Sequence, residues 1–295
     1  MTCLNFLLLS SVLFITLHST ESDFSSSCLR YGKSSWKCFE DYPNLALERY
    51  FPAKLLYEKN INRTAKIHGN IPKIIHQIWI GETIPESLLN LSKCWQNWTG
   101  WQYILWSEDA ILSLDFADKD LFIKSSCPAE KADIARLEIL KKYGGVYVDL
   151  DYECTNPESL KLFCDNYDIF LGLEPLEHEL KIGNAFIAAA PNHPAINLLL
   201  KKLRGNYFSH EDECATIKTG PNFITSVLLQ GIDTLSGGVL LPPTYLFPLS
   251  AKFTEFLHID SYKASETLGV HYWVASWFPV SRWENIDIVN LNKGQ

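Results

Sequence analysis

The sequence predicts an α/β fold with a mostly parallel, doubly wound sheet and helices on both faces. Two observations carry that expectation. Short apolar runs bounded by turn residues alternate along the chain with segments of helical period, the pattern left by strands joined through crossover helices. Residues 132–154 then compress this unit into one stretch. There Ala132, Ala135, Ile139 and Tyr143 recur at helical spacing, Gly144 and Gly145 stop the helix, and an apolar strand runs into carboxylates. With 295 residues, 47% of them hydrophobic and 20% charged, the chain has ample material for a sizeable core.

Within that stretch Asp133 and Arg136 stand three apart, so they project from neighbouring points of one helical face. On the strand Val146, Val148 and Leu150 point one way, and Tyr147, Asp149 and Asp151 the other. Both carboxylates thus leave the strand end on one side. That is where an α/β sheet keeps its ligand crevice, and such a pair suits a divalent cation that in turn holds an anion.

The other elements follow in order. Residues 1–20 carry no charge and are apolar from 4 to 17, which fits a cleaved signal peptide or a short membrane anchor, with a buried first helix or strand as the alternative. Residues 21–70 lack sustained periodicity and read as a stem packed loosely on the domain formed by 71–295. Residues 71–81 read as a first buried strand, 85–98 as an amphipathic helix with Leu88, Leu91 and Trp95 on one face, and 101–106 as a second strand. Short helices are expected over 108–114 and 118–126, strands over 169–173 and 182–190, and a helix over 195–203.

Charge and cysteines narrow the setting. A net charge of -8 offers no field for a nucleic-acid backbone. The 8 cysteines fit an oxidising compartment, as do the sequons at Asn62, Asn90 and Asn97. Outside the leader's Cys3 they are odd in number, with Cys28/Cys38 and Cys154/Cys164 as plausible local loops. No Cys-x-x-Cys occurs, which argues against a zinc ribbon. A Golgi or ER lumen is the expected location, and a cytoplasmic one if the source is bacterial.

The run Asp133-x-x-Arg136, Tyr143-Gly144-Gly145, Val146-Tyr147-Val148-Asp149-Leu150-Asp151 resembles the core of the DXD-containing sugar transferases. It is most similar to the yeast-type α-1,6-mannosyltransferases and inositol-phosphorylceramide mannosyltransferases, whose sugar-binding region also resembles the glucosyltransferase domain of the large clostridial toxins. Pro72-Lys73-Ile74-Ile75-His76-Gln77-Ile78-Trp79, the strand around Asn184, Thr219-Gly220-Pro221-Asn222, and His271 followed by Ser276-Trp277 resemble flanking motifs of the same family. The resemblance implies a GT-A-like fold and a metal-dependent, retaining transfer of mannose, galactose, glucose or N-acetylglucosamine. The donor would be a UDP- or GDP-sugar, and the acceptor a glycan, glycolipid or protein hydroxyl.

The same resemblance implies that Asp149, Asp151 and His271 hold Mn²⁺ or Mg²⁺ against the diphosphate. Asp133 and Arg136 would hold the donor's sugar and its ribose or phosphate region, Trp79 would lie beside the base, and Asn184 near the donor sugar. Ser276 and Trp277 would donate to phosphate oxygens, and the Gly-Pro helix start would serve packing or the acceptor. Retention demands no general base on the protein; Glu174 is a candidate to test. On residue chemistry alone Trp79 also fits a core tryptophan, Asp133 with Arg136 a surface ion pair, and His271 a satisfied core histidine. His76 and His258 read as structural. Two competing functions share the carboxylates. A haloacid-dehalogenase-type phosphatase lacks its usual residue where Glu153 stands and its later aspartate pair; a non-catalytic sugar- or calcium-binding module would keep the fold without turnover.

Overall fold

A computed structural model describes residues 24–28, 43–61, 70–81, 83–176, 179–250 and 262–274. Its strands are β1 (Ile74–Trp79), β2 (Gln102–Ser107), β3 (Gly145–Val148), β4 (Tyr152–Cys154), β5 (Ile169–Leu173), β6 (Ile182–Ala189), β7 (Val239–Leu241) and β8 (Gly269–His271). Six of them form one sheet in the order β2-β1-β3-β6-β5-β7, and β4 pairs with β8 apart from it. The mixed α/β, mostly parallel expectation holds, with one exception: β6 runs antiparallel to both β3 and β5. Among the described residues no helix lies between Leu173 and Ile182, which are separated by eight residues. A connection that short reverses the chain, because a parallel return needs a crossover of about a dozen residues or more.

The Pro128–Tyr143 helix begins with proline in its first turn, where a missing N–H costs nothing. It ends at Gly144, whose φ of 61° and N–H bond to the Leu140 carbonyl (2.9 Å) close the last turn. Gly145 (φ 97°) then brings the chain so near β1 that an added Cβ would stand 2.5 Å from the Ile74 carbonyl oxygen. Only glycine fits there. The helix buries Ile134, Leu137 and Leu140, but also Glu130, Asp133, Arg136 and Glu138. Those charged groups must therefore find partners inside the fold.

Two expectations change. The central strand stops at Val148, so Asp149 and Asp151 sit in the turn between β3 and β4 rather than on the strand. The described parts of 21–70 form two helices, Phe24–Cys28 and Pro43–Asn60, and they belong to the core: Phe24, Ala53 and Tyr57 are buried. Asn60 Nδ2 donates to the Gly238 carbonyl at 2.6 Å, and the Tyr57 and Tyr245 hydroxyls meet at 3.3 Å. Residues 1–20, Cys38, Asn62, His258, Ser276 and Trp277 lie outside the described residues. Cys28, Cys94, Cys127, Cys154, Cys164 and Cys214 are thiols, with no disulfide among the described residues. No helix among those residues is long and apolar enough to cross a membrane.

Candidate active site

Pairing of β4 with β8 sets Tyr152 opposite His271 and so brings a histidine 120 positions downstream against Asp151. His271 Nε2 lies 3.2 Å from Asp151 Oδ1, and the Val274 N–H donates to the other oxygen at 2.8 Å. The Tyr272 N–H donates to the Asp151 backbone carbonyl at 3.0 Å. Trp273, between them, takes a left-handed backbone (φ 54°) and rests its ring 4.3 Å from the His271 ring centre. Strain of this kind persists only where surrounding contacts enforce it. One carboxylate oxygen from each of Asp149 and Asp151 and one ring nitrogen of His271 lie within 4.8 Å of one another. Two hard oxygens and an imidazole fit a divalent cation of the Mg²⁺ or Mn²⁺ type.

Arg136 is the hub beside that cluster. Its guanidinium lies 3.0 Å from Asp133 Oδ1 and 3.4 Å from Asp149 Oδ1, donates to the Asn184 carbonyl, and stacks 4.4 Å over the Tyr147 ring. Asp133 accepts from Asn184 Nδ2 (2.7 Å) and from the Thr219 hydroxyl (2.7 Å). A carboxylate offers about four acceptor positions; Arg136, Asn184 and Thr219 occupy three. Tyr147 donates to Asp149 Oδ1 at 2.5 Å, and Gln77 Nε2 donates to the Asp149 carbonyl at 3.0 Å.

Burial decides the protonation of these groups, modified by their neighbours. Desolvation pushes Asp133 up to about 6 despite Arg136 and Thr219. Asp149 is raised for the same reason against the pull of Arg136. Asp151 is lowered: burial works against it, but the His271 ring and the Val274 N–H win. His271 is correspondingly raised, burial opposing and Asp151 favouring its charge. Arg136 stays ionised although buried, because Tyr147, Asp149 and Asp133 surround it.

A cleft opens on this cluster, lined by Trp79, Ala132, Arg136, Tyr147, Asp149 and Asp151. Asp133 and Asn184 stand behind Arg136 rather than on its wall. Trp79, at the end of β1, reaches the cleft with its indole N–H buried and unpartnered. Glu174, the candidate base, lies just beyond β5, where its charge is felt by the His271 ring. His76 is structural: Nε2 meets the Gly144 carbonyl (2.9 Å) and Nδ1 accepts from the Trp106 indole (3.1 Å). Sequence reasoning missed Thr219 as a partner of Asp133, and Gln77 and Tyr147 as supports of Asp149. Tyr147 was legible, two residues before Asp149 on one face; Thr219 stood out only as part of the Gly-Pro helix start, and nothing local pointed to Asp133.

Residues 86–166 match the family described as a glycosyltransferase sugar-binding region containing a DXD motif. That stretch carries the DXD segment Asp149-Leu150-Asp151. Over 188 residues the chain is 32% identical to inositol phosphoceramide mannosyltransferase 1 of Schizosaccharomyces pombe, covering 60% of this chain and 57% of that protein. A mannosyl phosphorylinositol ceramide synthase of Saccharomyces cerevisiae is 32% identical over 174 residues, covering 54% of this chain and 42% of that one. The chain thus spans about half the length of these curated relatives. Among solved structures, the catalytic domain of the Clostridium novyi alpha-toxin aligns at a TM-score of 0.46 and 14% identity over 89% of this chain and 90% of that one.

Proposed function

We propose that this protein is a metal-dependent glycosyltransferase that moves a hexosyl group, with retention of configuration, from a nucleotide-sugar to a hydroxyl. The observation that carries this reading is the meeting of Asp149, Asp151 and His271 within 4.8 Å beside a cleft walled by Arg136 and Trp79. Those three side chains would hold Mn²⁺ or Mg²⁺. Bound there, the cation would supply positive charge against a departing diphosphate.

The chain's own residues do the rest. Arg136, fixed by four neighbours, presents a permanent positive charge on the cleft wall and needs no reorganisation when a phosphate arrives. Asp133 and Asn184, behind Arg136, hold its guanidinium in place on the cleft wall. The face of Trp79 suits a nucleotide base. The names of the relatives favour a mannosyl donor and an inositol-phosphate lipid acceptor. The apolar segment 4–17 and the cysteine content favour work in the secretory lumen, with that segment as anchor or signal.

The test is nucleotide release from a panel of UDP- and GDP-sugars, with inositol phosphoceramide, glycan and peptide acceptors, in Mn²⁺ and in chelator, beside Asp151→Asn. Release from one donor that vanishes with chelator and in the variant is expected. No release from any donor, with no binding of UDP or GDP by calorimetry, would overturn the reading in favour of a non-catalytic module.

A further inference from the structure

We propose that Cys94 and Cys154 form a disulfide that ties the Glu86–Gln96 helix to β4, the strand that follows Asp151. The helix covers the edge of β4 that faces away from β8. On that edge the Trp95 indole donates to the Tyr152 carbonyl at 2.7 Å, and the Cys154 N–H donates to Cys94 Sγ at 3.2 Å. The first contact fixes the register of helix on strand, and the second places one sulfur against the other cysteine's own backbone. With Sγ at 3.2 Å from that nitrogen, standard bond lengths cap the Cα–Cα separation at about 7.5 Å, against the ~4.4–6.8 Å of native bridges. Rotation of the Cys154 side chain and a small approach of the helix close the bond.

Neither thiol has a better candidate among the described residues. The contact between them is the Cys154 N–H on Cys94 Sγ at 3.2 Å. Cys164, the sequence-local choice, is sealed in the main core at 1% exposure. Burial also pushes Cys94 up to about 11 and Cys154 further still. Thiolate is therefore scarce in the folded chain, and the exchange belongs to the folding stage.

The oxidant is a small-molecule disulfide such as oxidised glutathione. One protein thiolate attacks it, releasing one glutathione as the thiol and leaving a mixed disulfide; the second cysteine then displaces the other glutathione. Two S–H bonds are lost and one S–S bond forms. The protein gives up two electrons and two protons, and one oxidised glutathione becomes two thiols.

The test is the full chain folded in a mixture of reduced and oxidised glutathione, blocked with iodoacetamide under denaturing conditions, and mapped by non-reducing proteolysis and mass spectrometry. A linked peptide joining Cys94 and Cys154, two hydrogens lighter than its parts and resolved by reductant, is expected. Reductant should also lower Tm by roughly 5–10 °C, a drop absent from Cys94→Ser. Alkylation of both cysteines, or Cys154 linked to any other cysteine, would overturn the proposal. The peptide map uses the unaltered protein, so it decides the matter even where the serine variant folds poorly.

Discussion

A single hydroxyl, Thr219 Oγ1, donates at 2.7 Å to Asp133 Oδ2 from a residue with no exposed surface. Replacing it with valine keeps the shape and removes the donor, leaving a buried carboxylate oxygen short of a partner. That omission costs about 1–3 kcal/mol. Thr219→Val is therefore predicted to lower the urea midpoint and to reduce kcat/KM for the donor by about tenfold, since 1.4 kcal/mol is tenfold in rate. Thr219→Ser, which keeps the hydroxyl, should recover both. Equal kinetics for the two variants would mean that the hydroxyl does not position Asp133. At this scale the sequence revealed residue types better than partnerships. Asp133 and Arg136 were legible because they share a helix face, and Asp149 and Asp151 because they directly follow the apolar run of β3. Thr219 was not, because it stands 86 positions from Asp133 and no local period encodes such a contact.

His76 shows how elements are locked to each other. It sits on β1, takes a hydrogen from the Trp106 indole on β2, and meets the carbonyl of Gly144 at the end of the Pro128–Tyr143 helix. An indole N–H only donates and a carbonyl only accepts, so the ring must be neutral, with its hydrogen on Nε2. Desolvation agrees, lowering its pKa to about 4 although the Gly144 bond favours the charged ring. The unfolded chain, with a histidine near 6.5, then binds the extra proton first. The stabilising contribution of neutral His76 is full above pH 6.5 and is lost as pH falls toward 4, about 3 kcal/mol in all. Asp133, raised to about 6, works in the opposite sense below that pH, so total stability alone does not isolate the histidine. Ring ¹⁵N NMR does: His76 is predicted to keep the Nε2–H tautomer at pH 5, and a doubly protonated ring there would contradict this. The elements themselves were mostly legible, since β1, β2, β5 and the Pro128–Tyr143 helix follow hydrophobic period. The direction of β6 was not, because an apolar strand reads the same both ways and only its short connection reverses it. Nor was the pair β4–β8, three residues each, too short to show a period.

At the scale of the molecule, the site depends on contacts between distant parts of the chain. The Pro43–Asn60 helix covers β7 and the Tyr167 hydroxyl, which donates to the Asn60 carbonyl at 3.1 Å, and Ser27 meets Thr244 at 2.8 Å. A chain that begins at Ile71 would expose Tyr245, Leu240 and Tyr167. It is predicted to be insoluble or to bind a hydrophobic dye, whereas a chain from Asp23 should melt as one cooperative unit. The loose stem expected from composition gives way to packing, because scattered aromatics such as Phe24, Tyr50 and Tyr57 carry no period yet fill a core. The same long-range closure brings His271 to Asp151, and the account rests on that meeting. The most direct measurement is Mn²⁺ binding, followed by electron paramagnetic resonance in the presence of UDP or GDP, for the unaltered chain, Asp151→Asn and His271→Ala. One bound ion per chain, weakened by about tenfold or more in each variant, is the predicted result. Equal affinity in all three would show that Asp149, Asp151 and His271 do not form one cation site, and would contradict the account.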